Sequence, residues 1–104
     1  MRVELRPEAL AQVLARQEWW VENRPSAPEA FTIELAGALH DLAQQPKSAA
    51  VVLSRGDVAI RRWLLPKTRC HLYYVIDETR GVVDVLAAWG ARMGRLPPLA
   101  KGRR

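Results

Sequence analysis

Apolar positions follow a helical period up to Pro46 and a strand period after it. The opening stretch Arg2–Arg6, RVELR, alternates and predicts a short strand with Val3 and Leu5 on one face. Pro7 then suits the first turn of a helix. Along residues 7–24, Leu10, Val13, Leu14, Gln17 and Val21 recur at helical spacing, predicting one stripe with Trp20 beside it. The pattern breaks at Asn23-Arg24-Pro25-Ser26. Ser26 followed by Glu29 reads as a capping box with Pro28 tolerated in the first turn. The second helix carries Phe31, Leu35, Ala38, Leu39 and Leu42 on one face and stops before Pro46. So short a linker favours an antiparallel helical hairpin.

After Pro46 come four runs rich in β-branched and aromatic residues: AAVVL (49–53), VAIRRWLL (58–65), CHLYYVI (70–76) and VVDVLAAW (82–89). Turn-like SRGD, PKTR and DETRG separate them, which predicts an antiparallel meander. The order β-α-α-β-β-β-β defines an α+β domain, a helical hairpin packed on a small, mainly antiparallel sheet, and residues 1–104 form one domain. Both sheet faces are apolar. Alternation sets Val58, Ile60 and Leu64 against Trp63 and Leu65, Tyr73 and Val75 against Leu72, Tyr74 and Ile76, and Val82 and Leu86 against Val83, Val85 and Trp89. One hairpin covers one face. The other needs the tail segment RLPPL, a second copy or another protein.

Charge sharpens that expectation. Residues 1–46 hold four arginines against seven acids, a balance of −3; residues 47–104 hold twelve Lys/Arg against four acids, a balance of +8. A basic half of this kind favours an anionic partner. The single cysteine, Cys70, forms no internal disulfide, and the N-terminus has no signal-peptide core, so a cytoplasmic protein is expected. No run is long enough to span a bilayer, and no membrane partner is expected. Metal-ligand spacing, a phosphate-binding glycine loop and a hydrolase triad are all missing, so no metal and no cofactor are expected. Residues 97–104 read as a flexible basic tail.

Several ordered motifs carry a resemblance. Residues 19–46, WWVENRPSAPEAFTIELAGALHDLAQQP, are similar to the helical hairpin of the RelE/ParE toxin superfamily, where ENRP between the helices and a proline after the second are frequent. VAIRRWLLP, HLYYVID and VVDVLAAWGARMGR resemble its third, fourth and fifth strands, so the likeness runs over about the whole chain. The resemblance implies the toxin of a bacterial type II toxin–antitoxin pair of the plasmid-stabilising kind. A cognate antitoxin would wrap it as a hetero-oligomer, and operator DNA would be met only indirectly, through the antitoxin. ParE-like members inhibit DNA gyrase; RelE-like members cut mRNA on the ribosome.

RNA cleavage through the 2′-hydroxyl needs a base, an acid and cations. Arg62, His71 and Arg92 are the set available for it, Arg92 matching the arginine that ends the family's last strand. No histidine or tyrosine follows Trp89, and Gly90 stands where many relatives carry histidine, so the ParE-like branch is favoured. A non-toxic antitoxin-binding or co-regulatory module is the remaining alternative. Arg61, Arg62, Arg69, Arg92 and Arg95 are the target-binding candidates, with Gly90 and Gly94 letting the chain turn to present the last two. Trp19, Trp63, Leu65, Tyr73 and Trp89 are the antitoxin-interface candidates. One of Arg61 and Arg62 is expected to pair with Glu34 or Asp41, and Cys70 to be a small core residue.

Overall fold

The structure, a computed structural model, describes residues 1–99. Its elements are β1 (Arg2–Leu5), α1 (Pro7–Asn23), α2 (Ala30–Gln44), β2 (Val51–Arg55), β3 (Val58–Leu65), β4 (Cys70–Asp77) and β5 (Val82–Gly90). The five strands form one sheet in the order β1-β5-β4-β3-β2. β2 to β5 make an antiparallel meander, and β1 joins β5 in parallel, Val3 opposite Val83. The expected α+β layout is the one observed. Both helices lie on one face of the sheet. Among the described residues no helix is long and apolar enough to cross a membrane.

The core on the helix side joins Ala9 and Val13 of α1 and Phe31, Leu35, Ala38 and Leu42 of α2 to Leu65, Leu72, Tyr74, Val83 and Val85 of the sheet. The buried line of α2 is the one read from its spacing. That of α1 is not. Ala9, Gln12, Val13, Arg16 and Trp20 turn inward, while Leu10, Leu14 and Val21 stand about half exposed. The two lines differ by about one residue's rotation, roughly 100°. Polar anchoring sets the rotation. β1 ends opposite Val85, which leaves the outer edge of β5 unpaired beyond it. Gln12 Oε1 accepts the N–H of Ala88 on that edge at 2.8 Å, and the Arg6 N–H donates to the carbonyl of Val85 at 2.9 Å. The capping box does not form either: α2 starts at Ala30, and the N-cap Glu29 makes no side-chain capping bond.

The opposite face holds a second apolar cluster of Ile60, Tyr73, Leu86, Ala87 and Leu99. Of the three coverings expected for it, the tail segment supplies part. Pro97 and Leu99 are buried there, and the remainder of the predicted basic tail, 100–104, lies outside the described residues. The pairing of β4 with β5 shifts between Tyr73 and Tyr74, with Leu86 as the extra residue. This bulge corrects the predicted faces of β5: Val83 and Val85 point to the helices, whereas Trp89 falls on the opposite face with Leu86.

The corrected packing separates two leucines. Leu42→Ala, at a fully buried site, is expected to lower unfolding free energy by about 2–5 kcal/mol, and Leu14→Ala by less than about 1 kcal/mol. Denaturant titration of the two variants checks this; equal losses would contradict the assigned rotation of α1.

Candidate functional site

The distinctive polar structure lies at one end of the sheet, where the β3–β4 turn meets the exit of β5. Thr68, in the turn Pro66–Arg69, is buried against the helices, so its backbone groups need partners other than water. Each helix supplies one. From α2, Glu34 accepts the N–H of Lys67 at 2.7 Å, the N–H of Thr68 at 2.9 Å and the Thr68 hydroxyl at 2.7 Å. From α1, Arg16 Nη2 donates to the carbonyls of Thr68 at 3.2 Å and Arg69 at 3.1 Å. The N–H of Ala91, just past β5, also donates to the carbonyl of Arg69, at 2.8 Å. Burial works to raise the Glu34 carboxyl's pKa, but the Lys67 N–H and both Thr68 donors outweigh it, so the pKa ends below its ordinary value. Glu34 therefore serves the turn and pairs with neither Arg61 nor Arg62.

Arg69 itself adopts a left-handed backbone, φ 58°, where a non-glycine residue costs about 1 kcal/mol. The turn projects Lys67 and Arg69 into solvent, and the neighbouring β5 exit projects Arg92 and Arg95; all four are exposed. Gly94, φ 75°, allows the reversal that returns the chain over the sheet. Arg95 comes to lie over the Trp89 ring, 5.5 Å from its centroid, and the indole N–H donates to the Arg95 carbonyl at 3.1 Å.

Beside this rim, on the face away from the helices, Arg62, His71, Tyr73, Arg95 and Leu96 line a cavity of about 270 Å³. Arg62 stands opposite Tyr73 and Leu64 opposite His71 in the ladder, which sets all four on that face. Burial first, and then the Arg62 charge, hold the His71 imidazole below its ordinary pKa of 6.5. It is neutral at neutral pH, and the positive charge of the cavity belongs to the arginines. Farther along the same face a broader groove of about 700 Å³ runs past Val58, Ile60, Val75 and Leu86 to Asp84, which is buried and paired with Arg6 Nε at 2.8 Å.

The predicted site residues thus divide. Arg62 and His71 come together, but the second arginine lining their cavity is Arg95; Arg92 is exposed on the adjoining rim. Arg61 points to the other face and is fixed by the carbonyls of Lys47 at 3.1 Å and Ala49 at 2.6 Å, so it is a structural residue and not a free target contact. Leu65 is fully buried in the helix-side core and Trp63 packs against it, which withdraws both as open-face interface residues. Their side of β3 is the side the helices cover. Tyr73 is buried at 2% exposure in the second cluster with Leu99, and Trp89 is half-buried there. Of the tryptophan pair, Trp20 packs on the core; Trp19 is exposed, edge-on to Trp20 at 5.8 Å with Arg24 over its ring at 5.4 Å. Burial pushes the Cys70 thiol up to about 11, which makes it an unreactive core residue. Among the described residues no group of three His, Cys, Asp or Glu side chains is placed to hold a metal ion.

Arg16 and Gln12 escaped the sequence reading because both interrupt an apolar helix without belonging to any motif. Compared with known protein families, with curated proteins and with solved structures, the chain matches none.

Removing the Glu34 acceptor strands two donors on Thr68, which is only 3% exposed, and leaves the exposed Lys67 N–H to water. Glu34→Ala is therefore expected to cost about 2–4 kcal/mol. Because the folded pKa of Glu34 lies below the unfolded value, the carboxylate's contribution is present above pH 4.5 and is lost as pH falls through the folded pKa. Denaturant unfolding of wild type and variant between pH 7 and pH 3 checks both; a variant within about 0.5 kcal/mol of wild type at pH 7 would contradict the clamp.

Proposed function

We propose that this chain is the toxin of a bacterial type II toxin–antitoxin pair, RelE/ParE-like in fold, that acts in the cytoplasm by binding DNA gyrase and is neutralised by a cognate antitoxin. The observation that carries the reading is the sheet face opposite the helices. The tail covers one part of it, and a groove of about 700 Å³ stays open beside it, lined by Val58, Ile60, Val75 and Leu86 together with charged residues of both signs such as Lys47, Arg55, Asp57 and Glu78. An extended, partly disordered antitoxin segment fits such a groove, and acidic residues of the same partner would meet the unpaired cations of the β3–β4 and β5 rim at the other end of the strands. Trp19 on the helix side is a second exposed anchor for a wrapping partner.

Gyrase binding is favoured over catalysis because the three groups needed for RNA cleavage are not assembled in one place. Arg92 lies outside the cavity that holds Arg62 and His71, and no tyrosine or histidine follows Trp89 in the sequence. One observation favours the RelE-like alternative, ribosome-dependent mRNA cleavage: Arg62, His71 and Arg95 share a cavity whose imidazole is neutral at physiological pH and able to accept a proton.

Induced expression in a bacterial host without an antitoxin is expected to arrest growth, and the purified chain is expected to inhibit supercoiling by gyrase in vitro. His71→Ala should retain both effects. Unaltered supercoiling at saturating protein would contradict the gyrase reading. Growth arrest abolished by His71→Ala, with cut mRNA in a translation mixture of the wild type, would transfer the conclusion to the nuclease.

A further inference from the structure

The described charges are distributed unevenly between the two ends of the sheet. At the end formed by the start of β1 and the β4–β5 turn, cations and acids neutralise one another: Arg2 with Glu4, Arg80 with Glu4 and Asp77, and Lys47 with Glu78. At the other end Arg62, Lys67, Arg69, Arg92 and Arg95 are exposed and none of them pairs with a carboxylate. Glu34, the acid that contacts the β3–β4 turn, has its carboxylate committed to the Lys67 N–H and the Thr68 donors. This clustering is built by specific bonds. The Ala91–Arg69 backbone bond fixes the β5 exit against the turn, and the Arg16 and Glu34 contacts fix the turn against the helices. Arg62 stands three residues from Leu65, the last residue of β3, and two strands from β5. With about 3.3 Å per residue and 4.8 Å per strand, Arg62 lies about 10 Å from the end of β3 and about 10 Å across from β5, so the five cations belong to one end of the sheet.

We propose that this end of the molecule is a direct docking surface for the phosphate backbone of double-stranded nucleic acid, which goes beyond the proposed function, where DNA is met only through the antitoxin. The fixed array of charge selects the ligand. Each strand of duplex DNA offers one phosphate per about 3.4 Å of axis, the two together one per about 1.7 Å, and the duplex holds them in place. An extended acidic peptide offers at most one charge per residue, about 3.3–3.6 Å, on side chains that must be ordered on binding. Four of the five cations are arginines, whose planar forks match phosphate oxygens in pairs. The surface reads backbone and not bases, because it has no stacking platform: Tyr73 is buried, and the Trp89 ring lies beneath Arg95. The patch engages about three phosphates, and binding is independent of sequence and strongly dependent on salt.

Fluorescence anisotropy of the full chain with a labelled duplex of arbitrary sequence, titrated from 50 to 200 mM salt, tests this. The expected result is binding with a log–log salt slope of about −3. Arg69→Asn, which tolerates the left-handed backbone, and Arg92→Gln should each weaken binding severalfold and reduce the slope by about 1. Arg55→Gln, an exposed cation on the β2–β3 hairpin at the opposite end, should leave it unchanged. Melting curves matching wild type establish that each variant is folded. Equal losses from all three variants, binding unaffected by the two rim variants, tighter binding of a single strand than of the duplex, or no binding at 50 mM salt would each overturn the proposal.

Discussion

The four-residue turn between β3 and β4 is the point at which the two helices and the sheet are tied together. Its N–H groups end on a carboxylate from α2 and its carbonyls on a guanidinium from α1. Thr68 is buried between the helices and cannot leave its groups to water, and each one left unsatisfied would cost about 1–3 kcal/mol. The two helices themselves touch rather little, so their relative placement is set through the sheet and through this turn. The same requirement fixes the rotation of α1. Turning Arg16 inward to reach Thr68 and Arg69, and Gln12 to reach Ala88, places Ala9, Val13 and Trp20 on the core and leaves Leu10 and Leu14 outside. The buried side of this helix is the one that carries these hydrogen bonds and not the strongest apolar stripe, although it also buries Arg16 Nε and the Trp20 indole N–H without partners.

From that constraint follows the shape of the candidate site. The turn is held in a geometry that Arg69 tolerates only at some conformational cost, and it is bonded to the residue after β5, so cations from two distant parts of the chain become neighbours. The bulge at Leu86 then sets Trp89 on the face away from the helices, where its ring supports Arg95 and its N–H holds the returning chain. The strap from Arg95 to Leu99 covers Tyr73 and Ile60 and stops short of the groove between Val58 and Asp84. One face of the sheet thus offers a groove of mixed apolar and charged lining and, at the opposite end of the strands, a rim of cations without carboxylate partners.

Much of the fold was legible in the pattern of the chain. The strand runs at 58–65, 70–76 and 82–89 fall within a residue of β3, β4 and β5, and the buried line Phe31, Leu35, Ala38, Leu42 of α2 follows from spacing alone. Two apolar sheet faces against one pair of helices correctly anticipated a second cluster, with Leu99 of RLPPL as part of its cover. The misses share a cause, since periodicity is blind to polar partners and to breaks in register. Nothing in the spacing marks Gln12 or Arg16 as anchors. Strict alternation put Trp89 with Val83 and Val85 because a bulge inverts parity without any local signature. Trp63 and Leu65 were correctly paired on one face, but alternation does not say which face the helices choose. The candidate site was half legible: the cations Arg62, Arg69, Arg92 and Arg95 were named from sequence, whereas the bonds that gather them involve Glu34, Arg16 and Ala91, whose roles exist only in the fold.

Both helices hold the β3–β4 turn, and through it the β5 exit, as one unit. Residue-resolved amide hydrogen exchange measures this directly. The N–H groups of Lys67, Thr68 and Ala91 are expected to exchange as slowly as those of the central strand β4, opening only with global unfolding. Exchange of these three amides at the rate of a free surface loop, while β4 stays protected, would contradict the account.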